Sequence, residues 1–162
     1  MRMEEETGFS ALLAGLDRDP RALRMKHYVQ HGSISTYDHC LRVARLSYAI
    51  ARRLPVSVEE RSLVRAAFLH DYFLYDWHTK GDHLHGYHHA AIAAENAERD
   101  FGLSEKEMHI IKSHMWPLNL FSVPDSKEGW IVTLSDKICS LQETVFLRRG
   151  REETAYGNHL VQ

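Results

Sequence analysis

The sequence predicts a single all-α domain, a compact helical bundle, on three observations. Its 162 residues are 44% hydrophobic, which is enough to build one sizeable core. Apolar residues recur at helical spacing along almost the whole chain, and no stretch longer than a few residues alternates as a half-buried strand would. Serine followed three positions later by an acidic residue, a pattern typical of helix starts, occurs before three of the periodic segments.

Local start and stop signals place the helices. The start signals are Ser35 with Asp38, Ser57 with Glu60, and Ser104 with Glu107. The predicted helices span about residues 10–16, 20–29, 35–54, 57–74, 87–101, 104–116 and 127–149. Residues 31–38 are predicted to form a polar loop, and residues 75–86, which lack periodicity, a long loop and candidate lid. The core is expected at about residues 29–146, ahead of a loose tail at about 150–162.

The charge balance narrows the class of partner. Lys and Arg number 20 against 22 for Asp and Glu, so the formal net charge is -2. Nucleic acid is not expected as the main partner, because coating its phosphate backbone needs an excess of positive charge. The N-terminal segment is acidic, and no stretch approaches the roughly 20 apolar residues that cross a bilayer. We therefore expect a cytoplasmic protein with no membrane partner.

Six histidine and aspartate side chains fall on inward faces of five predicted helices. They are His39, His70, Asp71, His89, His114 and Asp136. The main apolar stripe of the last helix is expected to comprise Ile131, Leu134, Ile138, Leu141 and Val145. Asp136 lies on another face of that helix, beside further apolar residues. Apolar groups on two faces indicate that the helix is deeply buried, so Asp136 needs a partner.

This set of side chains predicts a metal centre. A lone histidine on an apolar face is usually a hydrogen-bonded core residue. Burying this many imidazoles and two carboxylates, however, would leave several costly unpaired groups unless a cation joined them. Imidazole and carboxylate together suit iron, manganese, zinc or similar ions. Six ligands nearly saturate one ion, whereas Asp71 could bridge two ions and leave positions open for substrate, so the sequence favours a dinuclear centre.

The segments around these residues resemble a known family. HGSISTYDHCLRVA, AAFLHDY, HHAAIAAENA, KSHMWP and TLSDKICS together look like the ordered H…HD…H…H…D signature of HD-domain proteins. The resemblance covers about residues 29–146. It implies an all-α bundle of the HD-domain type.

The resemblance also implies which residues hold each ion. The first histidine, the His-Asp pair and the final aspartate of the family hold one metal, here His39, His70, Asp71 and Asp136. Members with two extra histidines hold a second ion, which here implies His89 and His114 with Asp71 as the bridge. The divalent ions would be iron, manganese or a similar metal.

Most HD-domain proteins are phosphohydrolases, which makes hydrolysis the leading expectation. A metal-bound hydroxide would attack the phosphorus of a small-molecule phosphate ester or nucleotide while the ions neutralise the developing charge. His70 and Asp71 are the expected catalytic pair. The chain departs from many dinuclear members at Leu74, where they carry a phosphate-binding lysine or histidine. His85 and Lys137 are the residues expected to replace that contact.

The sequence is compatible with two other functions. Some proteins on the same scaffold that have the six-ligand set are di-iron oxygenases, similar to inositol oxygenase or the phosphonate-cleaving oxygenases. The third hypothesis is a non-catalytic ligand sensor that keeps the metal for stability. Metal analysis with spectroscopy separates the oxygenase from the hydrolase, and a broad activity screen separates both from the sensor.

Overall fold

The fold is that of a helical bundle, seen in a computed structural model that describes residues 3–31, 33–76 and 85–159, without the side chains of His31, His85, Tyr87 and residues 146–159. The helices are α1 (Met3–Leu13), α2 (Pro20–Leu23), α3 (Thr36–Arg53), α4 (Glu60–Leu69), α5 (His85–Phe101), α6 (Glu105–Ser113) and α7 (Lys127–His159). Strands β1 (Val29–His31) and β2 (Ile34–Ser35) form a small antiparallel hairpin. The all-α prediction is confirmed.

The N-terminal region differs from its prediction in two places. Helix α1 begins at Met3, several residues early, and its acidic first turn suits the positive end of a helix. It ends at Leu13, before Gly15, whose φ of 83° no continuing helix could adopt. The helix expected over residues 20–29 is also wrong, because a short α2 passes into a 3-10 turn and then into strand β1. Part of the predicted polar loop therefore belongs to a hairpin.

Two of the three predicted helix starts are confirmed. The Ser35 side chain accepts a bond from the backbone N–H of Asp38, and Ser104 with Glu107 forms a full capping box. The start predicted at Ser57 is wrong, since the residue that precedes α4 is Glu59. The backbone N–H of Glu59 donates instead to the Glu128 carboxylate of α7, 2.7 Å away. A carboxylate distant in the chain thus replaces the local cap.

Helix α4 lies at the centre of the core. It packs against α1, α3, α5, α6 and α7. Its fully buried apolar side chains are Leu63, Val64, Ala66, Ala67, Phe68 and Leu69. Both cysteines, Cys40 and Cys139, are buried and free. Because α4 is enclosed on most sides, the residues that follow it directly are delivered to the interior of the bundle.

Helix α7 buries one of the two faces that were predicted to be buried, the face that carries Asp136. Leu134 and Leu141 of the predicted stripe are 52% and 66% exposed. The buried face carries Asp136, Cys139 and Glu143. The expected burial of the main apolar stripe is therefore wrong beyond Ile131, because the interior of the bundle lies on the side of Asp136. The helix also continues to His159, where an end near residue 149 was predicted.

Among the described residues, no helix combines the length and the apolar character that a bilayer-spanning segment needs.

Candidate metal centre

Six side chains from five helices meet in the interior of the bundle. They are His39 from α3, His70 and Asp71 from the end of α4, His89 from α5, His114 from the end of α6, and Asp136 from α7. All six are buried. The structure therefore brings together every histidine and aspartate that the sequence assigned to the centre.

One half of the cluster, here called the first half, is formed by His39, His70 and Asp136. Oδ1 of Asp136 lies 3.2 Å from Nε2 of His39 and 3.7 Å from Nε2 of His70. Oδ2 of Asp71 lies 3.3 Å from the same His70 atom and 3.9 Å from the His39 atom. These distances leave two imidazole nitrogens and two carboxylate oxygens converging on one small region.

The second half is formed by His89 and His114. Their Nε2 atoms lie 3.2 Å apart. Oδ1 of Asp71 lies 3.2 Å from Nε2 of His89 and 3.6 Å from Nε2 of His114. The Asp71 carboxylate thus stands between the halves and turns a different oxygen to each.

Local hydrogen bonds fix the orientation of two imidazoles. Nδ1 of His70 donates to the Ala67 carbonyl at 2.8 Å, and Nδ1 of His114 donates to the Ile111 carbonyl at 2.7 Å. A carbonyl only accepts, so when either ring is neutral its proton is on Nδ1 and its Nε2 keeps the lone pair for a ligand. Both carbonyls belong to the last turn of a helix, whose partial negative charge favours a nearby cation.

The ionisation of the first half is dominated by its carboxylates. Burial alone would lower the pKa of His39, but hydrogen bonds to Asp136 and Glu143 outweigh it and raise that pKa to about 10. The pKa of His70 is likewise raised despite burial, chiefly by the Asp71 charge. The imidazoles in turn hold the pKa values of Asp71 and Asp136 well below the usual range, against the effect of burial.

The second half behaves in the opposite way. Burial, together with the charge of the neighbouring His70, lowers the pKa of His114 to about 3. Near neutral pH the His114 ring is therefore uncharged, as a metal ligand must be.

Orphaned atoms test whether these residues fit a metal ion. Nε2 of His70 and Oδ1 of Asp71 are buried, and neither has a hydrogen-bond partner of acceptable geometry within the described part of the chain. Buried polar atoms are rarely left so, because the loss of solvation costs free energy. Nitrogen and carboxylate ligands at such a point are those that divalent transition metals prefer. The donor set and its orphaned atoms fit a divalent metal.

Three polar residues around the cluster were not predicted from the sequence. Nε2 of Gln30 donates to Oδ2 of Asp71 at 2.6 Å, and Nδ2 of Asn96 donates to the carbonyls of Tyr72 and Phe73 in the turn that follows Asp71. Oε2 of Glu143 lies 3.0 Å from Nδ1 of His39. The position of Glu143 two helical turns after Asp136 was the one available signal, whereas nothing in the sequence singled out Gln30.

Of the two residues expected to contact substrate, the structure describes the side chain of one. Nζ of Lys137 lies 3.0 Å from Oδ2 of Asp136 and donates to the His114 carbonyl at 3.2 Å, so this partly exposed ammonium borders the cluster. His85 begins α5, but its side chain lies outside the described residues. The predicted lid falls mostly on residues 77–84, which also lie outside them.

Comparison with known families agrees with this architecture. The family model described as HD domain matches residues 36–141, which is more than half of the chain and includes all six clustered residues. The chain therefore belongs to the HD domain family, whose members bind divalent metals and are mostly metal-dependent hydrolases. No curated protein and no solved structure matches the chain significantly.

Proposed function

We propose that the chain is a phosphohydrolase with a dinuclear metal centre, acting on a small-molecule phosphate ester or nucleotide. The observation that carries this proposal is the position of Asp71, whose two oxygens face two separate groups of histidines. A carboxylate so placed suits the bridge of a two-metal site, a common arrangement in enzymes that hydrolyse phosphate esters. The HD domain family, with its many metal-dependent hydrolases, supports the same reaction class.

The proposed ligands divide along the two halves of the cluster. His39, His70 and Asp136 would hold one ion, His89 and His114 the other, and Asp71 both. Divalent ions, when bound there, lower the pKa of water and neutralise phosphate charge. The Nδ1 bonds of His70 and His114 fix the orientation of both rings and would leave their Nε2 atoms to bind the ions.

Residues at the border of the cluster would bind and orient the substrate. Lys137 places a positive charge beside Asp136. It is one of the two residues predicted to replace the phosphate contact that is absent because position 74 is leucine. Its remaining ammonium hydrogen could reach a phosphate oxygen at the edge of the cluster. His85 is proposed for a similar contact on the basis of its sequence position alone. A net charge of -2 supports a small substrate over nucleic acid.

Phosphate release measured across a panel of phosphorylated metabolites tests the reaction. The protein would be stripped with chelator and reloaded separately with iron, manganese or zinc under anaerobic conditions. We expect phosphate release only from reloaded protein, and none from Asp71→Ala. Substrate-dependent oxygen uptake by the iron form, without phosphate hydrolysis, would instead identify an oxygenase. Tight metal binding with neither activity would favour a ligand sensor.

A further inference from the structure

We infer that Glu143 is a positioning residue that sets the metal affinity of the first half of the cluster through His39. This inference rests on the metal centre proposed above and not on the reaction proposed for it. Glu143 lies outside the six residues of the cluster. Its carboxylate touches the side of His39 that faces away from them.

The His39 ring lies between two carboxylates of the same helix. Its Nε2 faces Oδ1 of Asp136 at 3.2 Å, and its Nδ1 faces Oε2 of Glu143 at 3.0 Å. Asp136 and Glu143 are seven residues apart, about 10 Å along α7 at 1.5 Å per residue, and both point to the interior. An ionised carboxylate only accepts, so Glu143 assigns the ring proton to Nδ1 and leaves Nε2 to bind an ion.

Burying the Glu143 carboxylate costs free energy unless its hydrogen bond with His39 compensates for the lost solvation. The residue is 1% exposed, and a buried carboxylate needs compensation. Arg42 contributes an ion pair at 3.4 Å, but the Arg42 side chain is 57% exposed, so the solvent weakens the pair. The shorter contact is the one with His39.

The partner of His39 differs in kind from those of His70 and His114. Those two rings donate to neutral backbone carbonyls, whereas His39 meets a carboxylate. An anionic partner makes the opposite nitrogen a stronger donor to a metal than a neutral partner does. The effect of Glu143 is therefore specific to the first half, which His39 serves, and does not extend to His89 and His114.

Glu143→Gln tests this assignment because it keeps the size of the side chain and removes its charge. Stepwise dissociation constants for Zn²⁺ are measured by chelator competition on the whole 162-residue chain. We expect the step that involves His39 to weaken by about 10- to 100-fold, the range typical of such partners. The other step should change by less than about threefold. Retention of the wild-type constants would overturn the inference.

A matched control is available on the same helix. Glu128 is also a buried carboxylate of α7, but it pairs with Lys106 and the backbone of Glu59, away from the cluster. Glu128→Gln should lower the melting temperature without changing either Zn²⁺ constant. An equal loss of affinity in both variants would show a general effect of destabilisation and would overturn the inference.

A second variant covers the case in which Glu143→Gln does not fold. Glu143→Asp keeps the charge and withdraws it by one methylene, so the bond to His39 lengthens, and we expect a smaller loss of Zn²⁺ affinity, about threefold to tenfold. Unchanged affinity in folded Glu143→Asp would contradict the assignment. No substrate enters these titrations, so failure of the phosphohydrolase proposal leaves them intact. A wild-type protein that binds no Zn²⁺ would overturn the centre and the inference together.

Discussion

The two halves of the cluster use the same kind of ligand in different electrostatic settings. The first half places His39 and His70 among three carboxylates, and the pKa values of both imidazoles are raised. The second half places His89 and His114 against a single oxygen of Asp71, and burial lowers the pKa of His114. Burial alone therefore does not determine the charge of a histidine, because neighbouring carboxylates can reverse the effect of burial on its pKa. We expect the first half to bind its ion more tightly.

Removing the group that both halves share should have the largest effect. Asp71→Ala should abolish binding of both ions and lower turnover by about 1,000-fold or more, because its carboxylate contributes to each ion and screens their repulsion. Elemental analysis of the purified variant and phosphate release measure the two quantities. Two bound equivalents of metal with wild-type turnover would defeat the dinuclear proposal.

Removing a residue of one half should separate the ions. His114→Ala should lose one equivalent of metal and retain the other, because His39, His70 and Asp136 stay in place. We expect turnover to fall by about 100-fold, as for loss of one ion from a pair. Metal stoichiometry by elemental analysis provides the check, and two equivalents in this variant would remove His114 from the centre.

The halves should also give the metal-free protein opposite responses to pH. The pKa of His39 is raised to about 10, so its stabilisation is complete below the unfolded value near 6.5 and is lost as pH rises towards 10. The pKa of His114 is lowered to about 3, so its ring stays neutral in the fold and stability is lost as pH falls below 6.5. The melting temperature should therefore be highest near pH 6.5.

Variants assign each side of this pH profile to one half. In chelator-treated protein, His39→Gln should make the fall in melting temperature between pH 7 and 10 less steep. His114→Gln should do the same for the fall in melting temperature between pH 6.5 and 4.5. Thermal unfolding followed by circular dichroism gives both slopes. A profile whose two slopes respond equally to either variant would contradict the division into halves.

The smallest effect is expected at the border of the first half. Lys137→Met should raise the Michaelis constant by about threefold to tenfold with metal content unchanged, because it removes a charge that we propose binds the substrate and not an ion. Lys112→Met, an exposed lysine near the end of α6, is the matched control and should leave both quantities within about twofold of wild type. Loss of metal in Lys137→Met would instead mean that the lysine supports Asp136.

Local chemistry explains what the sequence determined by itself. Helical periodicity and the serine starts at Ser35 and Ser104 act within a few residues, so the all-α class and two helix starts were predictable. The residue types of the cluster were predictable for a related reason. A single inward histidine is usually a hydrogen-bonded core residue, but this many imidazoles and carboxylates are too costly to bury without a cation, so the set as a whole carried the signal.

Features that depend on partners distant in the sequence could not be predicted from the sequence. Glu143 lies 104 residues from His39, so its spacing from Asp136 could place both on one face of the helix but could not show its contact with that ring. Helix α7 exposes Leu134 and Leu141 of its main apolar stripe because the cluster lies on the other side, and the start of α4 contacts a carboxylate of α7 instead of a local cap. The two faces of Asp71 likewise exist only once five helices have packed around it. Each of these features is set by packing between helices. The hydrophobic periodicity of a single helix carries no information about that packing.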